Sequence, residues 1–513
     1  MLHDHSLFFF LIPVVPLLSL LAAFAIALHV LSGKAVGDEG ETLTTRISTT
    51  VAGIVLLLLL FCDVVVLLTG APGLITIGQW FASSEFVFPL SFAIDGASLA
   101  LATGVAFIGW VTIRFSVHYL HREAGFQRFF LVLGLFLCGM QVVVLAGNGL
   151  LAFVGWEFCG VSSYLLIGYA YERPTATDNA LFAFVANRIG DAGFLMGLFV
   201  ALTAIGTTDW HSLALWVAAP TFDKVTARLM VLGFLIAALA KSAQLPFVSW
   251  IARALEGPTP SSAIFYGAVM VHAGVWLVIR LEPVLTQLPD ILRWIAGIGL
   301  LTAVYAWIVG LVQTDVKSVM MFATTTQVGL MFFECGMGWF TVATWHLGLH
   351  ALWRSWQFLM IPSYMHLVGV SEALAAPAWL ARRQGLWTAA LQRFWLDAVA
   401  LALLARPLVR IGYDLRDFDT EVVARIIGMR QRTTASDDLS GDAIIRGYGA
   451  AGGLLAWCAR HFQSFERWLI LGDNAWLRQV LRETGVIFLV VEELLEQPRY
   501  LLMFVVATLA VVI

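Results

Sequence analysis

Charge is the scarcest ingredient of this chain: Asp, Glu, Lys and Arg make up 12% of its 513 residues, while 60% are hydrophobic. Soluble domains carry about 25% charged residues, so this composition excludes an ordinary soluble globule. The net charge of −4 is spread along the chain, leaving neither a basic face for nucleic acid nor an acidic arm. Cysteine is also sparse. The five residues Cys62, Cys138, Cys159, Cys335 and Cys458 include no CxxC pair and no His/Cys cluster at metal-ligand spacing. They read as packing residues, and neither a metal nor a cofactor is expected. The N-terminus lacks the basic stretch of a signal peptide before its first apolar run, which reads as a retained first helix.

What remains is apolar run after apolar run. They lie at 7–31, 51–68, 88–115, 129–146, 150–170, 180–205, 229–250, 262–279, 291–312, 319–335 and 339–360. A bilayer needs about 20 apolar residues per helix, so the chain predicts an all-α, polytopic transmembrane helix bundle of about 12–14 spans. With the N-terminus outside, Lys34, Arg46, Arg122, Arg128, Arg173, Arg253, Lys317, Arg382 and Arg383 fall inside. Only Lys224, Arg228, Arg280 and Arg293 then fall outside, so the positive-inside rule puts the N-terminus on the periplasmic side of a prokaryotic cytoplasmic membrane. Beyond residue 360 the pattern is mixed: amphipathic at 380–393, apolar at 394–411 and polar at 413–447. The expected parts are N-terminal helices (1–87), a central bundle (88–366), an amphipathic and spanning segment (367–430), a polar linker (431–442) and C-terminal helices (443–513). Within the last of these, 449–462 and 485–493 read as amphipathic helices and 500–513 as an apolar tail.

The few ionisable residues inside apolar segments carry the functional reading. Lys241 sits within LAKSAQLPFVSW, and a charge near mid-bilayer costs at least ~2.5–3.5 kcal/mol, so such groups usually face a hydrated path. Pro246 removes a backbone donor shortly afterwards and should interrupt the helix. Glu157, in FVGWEFCGVSSY, is a candidate partner whose approach or withdrawal would hold or release the lysine's proton; a static packing pair is the plainer alternative. Arg188 and Asp191 lie three apart and can satisfy each other locally. His346, His350 and Arg354 step by four along one helical stripe, suited to proton transfer or simply to hydrogen bonding of neighbouring carbonyls. Lys317 follows Asp315 at a helix start and reads from the residues alone as a surface lysine.

These strings resemble the antiporter-like membrane subunits of respiratory complex I and of Mrp-type cation antiporters, closest to the NuoL branch. The matching pieces are SFAIDGASL from Ser91, FSVHYLHREAGFQRFF from Phe115, GWEFCGVSSYLLIGYAYE from Gly155 and AFVANRIGDAGFL from Ala183. AKSAQLPFVSWIARALEGPTPSSAI from Ala240, AGVWLVIR from Ala273 and QTDVKSVMMFATTTQVGLMF from Gln313 continue the match, which spans about residues 90–360. The resemblance implies a path for H⁺ or Na⁺ with Glu157 and Lys241 as a switchable pair, Arg188 and Asp191 in support, and Lys317, His346 and His350 as relay positions. It thereby moves Lys317 from the surface to the interior.

Three departures stand out. Tyr266 occupies a position where the branch usually has histidine, with His272 nearby as a replacement. Arg354 replaces a lysine, and guanidinium does not deprotonate, so it can set a field but not pass a proton. Third, the chain passes from Met360 almost directly into LQRFWLDAVALALLARPL, a string like the branch's C-terminal part, so on this resemblance roughly four helices of a second inverted repeat are missing or drastically shortened. A shortened chain of this kind is expected to couple ion flow to a partner in a hetero-complex. The first expectation is a DAB-type inorganic-carbon accumulation system, whose soluble partner is a large zinc-containing, carbonic-anhydrase-like protein docked on 380–497. The alternatives are a subunit of complex I, a membrane-bound hydrogenase or an Mrp antiporter, or a non-conducting membrane scaffold for a peripheral enzyme. In each case the chain itself supplies no catalytic chemistry.

Overall fold

In a computed structural model, residues 6–33, 37–82, 87–267, 270–368 and 376–402 are described. They form α1 (Ser6–Leu31), α2 (Gly37–Thr69), a hairpin of β1 (Gly73–Ala82) and β2 (Val87–Ile94), α3 (Gly96–Tyr119), α4 (Phe126–Leu145), α5 (Gly149–Ile167) and α6 (Pro174–Ile205). There follow α7 (Trp210–Trp216), α8 (Lys224–Lys241), α9 (Ser249–Arg253), α10 (Thr259–Ser262), α11 (Ala273–Arg280), α12 (Glu282–Leu285), α13 (Pro289–Gly310), α14 (Val316–Gly336) and α15 (Phe340–Val368). The short α16 (Ala378–Ala381), α17 (Gln384–Leu391) and α18 (Leu396–Ala400) close the described part. Eight of these helices are long and apolar enough to cross a membrane, so the chain is a polytopic helical membrane protein.

Helix starts follow local chemistry. Asp95 and Ser98 form a reciprocal capping box at α3, Asn148 accepts from Leu151 N–H at α5, Asp223 caps α8 and Asp315 caps α14. Hydropathy alone does not say which helix is central. In its most apolar window α4 is 89% buried and α2 only 17%, although α2 is the more hydropathic. Lipid and protein interior are equally apolar, so the outer α2 loses nothing by facing lipid.

The run at 88–115, expected as one helix, is divided. Its first part is β2, paired antiparallel with β1, and helix begins only at Gly96. The cause is the surroundings: Gly147 N–H donates to Ser91 O (2.8 Å) and Asn148 Nδ2 to Pro89 O (2.9 Å), so the α4–α5 corner stabilises extended backbone there. The run at 262–279 is likewise not one helix. It comprises α10, a π-turn over Ala263–Gly267 and α11, and the π-turn leaves no room beside α15: a Cβ on Gly267 would stand 2.1 Å from Ser355 Oγ. Neither segment is too polar for helix; contacts distant in sequence override their periodicity. The expected 394–411 span is seen only up to α18, and the linker, the C-terminal helices and most of the proposed dock lie outside the described residues.

Packing between α13 and α14 relies on backbone contact. A Cβ on Gly299 would approach Phe333 N to 2.5 Å and Gly329 O to 2.6 Å. Gly299→Val should therefore cost about 1–3 kcal/mol by overpacking, read as a lower thermal midpoint in detergent than wild type. At one end of the bundle, Arg280 donates to Asp95 at 2.5 Å. Burial raises the Asp95 pKa, but the Arg280 charge and the Ser98 hydrogen bonds outweigh it and hold the carboxyl below its ordinary value. A depressed carboxylate contributes stability that is present above its unfolded-state value and lost only as pH falls through the folded one. Arg280→Gln should therefore move the onset of acid unfolding to higher pH, as followed by circular dichroism.

Candidate functional site

Helix α8 ends at Lys241, and the chain resumes as α9 at Ser249, with Pro246 in the interruption behind a cis Leu245–Pro246 bond. Backbone freed by the break finds partners elsewhere: Trp250 Nε1 donates to Ala240 O at 2.8 Å, and Leu245 N–H to Thr302 Oγ1 at 3.1 Å. Such pairing is what lets irregular backbone persist at membrane depth.

Lys241 is 1% exposed. Its Nζ donates to Trp156 O at 3.2 Å and lies 5.1 Å from the Trp156 ring centroid. Among the described residues no carboxylate lies within 4.0 Å of it. The direct cationic partner of Glu157 is Arg188, through a short bond from Nη1, and Arg188 Nη2 also reaches Asp191 Oδ2 at 2.7 Å. Asp191 in turn accepts from Trp156 Nε1 at 2.6 Å. Arg188 therefore stands where a two-residue reading put a Glu157–Lys241 contact, and Lys241 joins the cluster through both ends of Trp156. Gly160 makes this approach possible, because a Cβ there would come within 2.6 Å of Arg188 Nη2 and 3.4 Å of Lys241 Nζ.

A second group lies at the start of α11 and on α14 and α15. His272 Nε2 and His350 Nδ1 are 2.9 Å apart, and Arg354 Nε donates to His350 Nε2 at 3.4 Å. Guanidinium only donates, so Nε2 of His350 is the acceptor; its proton sits on Nδ1 and is given to His272. His346 does not bond to His350, their ring centroids being 6.1 Å apart. Its Nδ1 meets Glu334 at 2.9 Å and its Nε2 meets Gln327 Oε1 at 3.0 Å. Arg354 also reaches Met320, so the row His346, His350, Arg354 descends α14 from near its end to near its start. Lys317, half-buried, occupies the first turn of α14 beyond Met320. Tyr266 takes no part in the histidine group: its hydroxyl donates to Ile251 O at 2.8 Å.

The two groups approach at the helix interruptions. A Cβ on Gly274 of α11 would meet Ser242 Oγ, next to Lys241, at 2.3 Å. In and beside the interruptions Ser242 Oγ, Gln244 Oε1, Ser249 Oγ, Ser262 Oγ and His272 Nδ1 are buried without a protein partner, a polar lining suited to hydration.

Sequence reasoning missed Glu334, Gln327 and Asp63. Glu334 and Gln327 could have been found from their place on the apolar helix preceding the histidine row, behind a short glycine turn. Asp63 interrupts the apolar run of α2 and accepts from Thr103 Oγ1 at 2.7 Å, apart from both groups. Its lone charge in LLLLLFCDVVVLL was the available signal.

A helical membrane bundle with a lysine-bearing interrupted helix beside a buried histidine group is an architecture that keeps ionisable side chains in its interior, where they are rare. The profile described as NADH:quinone oxidoreductase/Mrp antiporter, transmembrane, matches residues 146–407, and that described as the N-terminus of complex I chain 5 matches 80–130. The chain belongs to the NADH:quinone oxidoreductase/Mrp antiporter family. It is 36% identical over 306 residues to NADH-quinone oxidoreductase subunit L of Campylobacter jejuni, covering 60% of this chain and 50% of that one. To NADH-ubiquinone oxidoreductase chain 5 of Allomyces macrogynus it is 36% identical over 334 residues, covering 65% and 52%. The chain thus spans about half the length of the curated relatives it matches. The fold is similar to a chain of the Mrp complex from Dietzia (TM-score 0.60, 21% identity, 97% of this chain and 62% of that). It is also similar to a chain of an archaeal membrane-bound sulfane sulfur reductase (0.59, 20%, 76% and 64%).

Arg188 as the shared partner of two carboxylates implies strong coupling. A double-mutant cycle of Arg188→Gln and Glu157→Gln, measured by thermal unfolding in detergent, should give an interaction energy of about 0.5–3 kcal/mol. Strict additivity would remove Arg188 from the centre of the cluster.

Proposed function

We propose that this chain is a proton-translocating subunit that couples a transmembrane ion gradient to a partner in a hetero-complex. The observation that carries the reading is Lys241: a fully buried ammonium at a helix break, tied through Trp156 to the Arg188–Glu157–Asp191 cluster and packed toward a histidine group. In this scheme Lys241 exchanges a proton when the cluster's charge balance shifts, and Glu157 acts on it through Arg188. A proton on His346 crosses a gap suited to a bridging water to His350 Nε2 when Arg354 withdraws from that nitrogen, while the His350 Nδ1 proton passes to His272 along their existing hydrogen bond; Lys317 is the relay position at the other end of α14. Arg354 orders the His350 tautomer and supplies a fixed positive field.

Imidazoles in hydrogen-bond contact favour H⁺ over Na⁺ as the moving ion. The names of the relatives, subunits of quinone oxidoreductases, an Mrp complex and an archaeal respiratory complex, favour a respiratory or antiporter-type assembly in a cytoplasmic membrane. The distribution of Lys and Arg favours a periplasmic N-terminus. A second reading, coupling to a zinc-containing, carbonic-anhydrase-like partner in inorganic-carbon accumulation, rests on one observation. The sequence passes from Met360 almost directly into LQRFWLDAVALALLARPL, a string like the C-terminal part of the branch it resembles.

Mild-detergent copurification separates these: a single large zinc protein supports carbon accumulation, and iron–sulfur or further antiporter-like subunits support the respiratory or Mrp reading. In proteoliposomes of the purified full-chain complex, Lys241→Ala should abolish dye-reported proton flux, leaving assembly intact by size exclusion. Full flux in Lys241→Ala would falsify the translocation reading.

A further inference from the structure

The corner between α14 and α15 has a construction that the relay scheme does not require. Glu334, two residues before the end of α14, holds His346 Nδ1 through both carboxylate oxygens, at 2.9 and 3.1 Å, while Gln327 holds Nε2 at 3.0 Å. The pair is neither sealed nor open, with side-chain exposures of 16% for Glu334 and 22% for His346. Past the buried Cys335 and Gly336 come three exposed residues, Met337, Gly338 and Trp339, where the chain turns at the end of α14. His350, one turn further along α15, is buried at 8% exposure.

A carboxylate in this place is costly without a task. An intramembrane acid tends to mark an ion route, and hydrogen bonding alone did not require one here, since a neutral amide could meet Nδ1 of His346 as Gln327 meets Nε2. Around the dyad are Gln327 from α14 and His350 from α15, with Glu282 of α12 near the same corner. Arg354 lies beyond His350 and is not in contact with the pair.

We infer that Glu334 is the exchange point at which the histidine relay meets water at one membrane face. A proton on His346 Nδ1 transfers to a Glu334 carboxylate oxygen, leaving neutral imidazole and a carboxylic acid. The acid then releases the proton to water at the α14–α15 turn, and the reverse order serves uptake. No electron moves. In the orientation proposed above this is the outer face. The inference rests on the translocation reading and adds to it a named terminus, set apart from Lys317 by most of the length of α14.

The test uses the full chain with its copurifying partners in liposomes carrying a pH dye and driven by a potassium diffusion potential. Glu334→Gln keeps an acceptor for His346 and should leave the thermal midpoint unchanged, yet lower proton flux by about tenfold or more. Glu334→Asp should recover part of that flux. Infrared difference spectra taken across a pH step should show a carboxylic C=O band in wild type that is missing from Glu334→Gln. Wild-type flux in Glu334→Gln, or an unchanged carboxylic band, overturns the inference while leaving translocation standing if Lys241→Ala still blocks it. Flux missing from wild type as well overturns both.

Discussion

The structure depends on accommodating the Lys241 amine where water is scarce. Lys241 is surrounded by α8, by the indole of Trp156 and by the ions grouped on Arg188, and no single contact there would offset its desolvation. Several partial compensations are combined instead: a backbone carbonyl, a ring face and a nearby set of two carboxylates shared with one guanidinium. Because Arg188 stands between, the carboxylates act on Lys241 at a distance. A charge held this way responds to small rearrangements of its neighbours, which a tight ion pair would resist.

The helix interruption follows from the same constraint. An unbroken α8 would satisfy its own backbone and present nothing polar to Lys241. Ending it there leaves the Ala240 carbonyl and the Leu245 N–H to be met from other helices, by Trp250 and Thr302, while the Ser242 hydroxyl and the Gln244 side-chain oxygen stay buried without a protein partner, and a second interruption follows at the π-turn. The breaks thereby supply the polar lining that links the lysine group to the histidines. Close-approach glycines such as Gly160 and Gly274 make the link short enough to matter.

The histidine group has a polarity set by Arg354. A permanent donor on His350 Nε2 fixes one tautomer and so orients the bond to His272. Guanidinium cannot take a deprotonation step, so what Arg354 offers this group is a fixed donor. At the far end, a carboxylate and an amide hold His346 from opposite sides.

The sequence by itself determined the class: apolar runs of spanning length demand a membrane, and an isolated lysine among them, followed by a proline, announced both a costly charge and a disturbed helix. Family strings extended this to a list of residues, because side-chain identity and order survive in a linear text. Partnership does not. That Arg188 rather than Lys241 takes Glu157, that His272 meets His350, and that Glu334 reaches back to His346 depend on how helices pack, and helices in an apolar solvent pack by shape and small residues that hydropathy does not register. The hairpin at 73–94 and the π-turn were illegible for a related reason: both replace favourable local helix with contacts from distant parts of the chain.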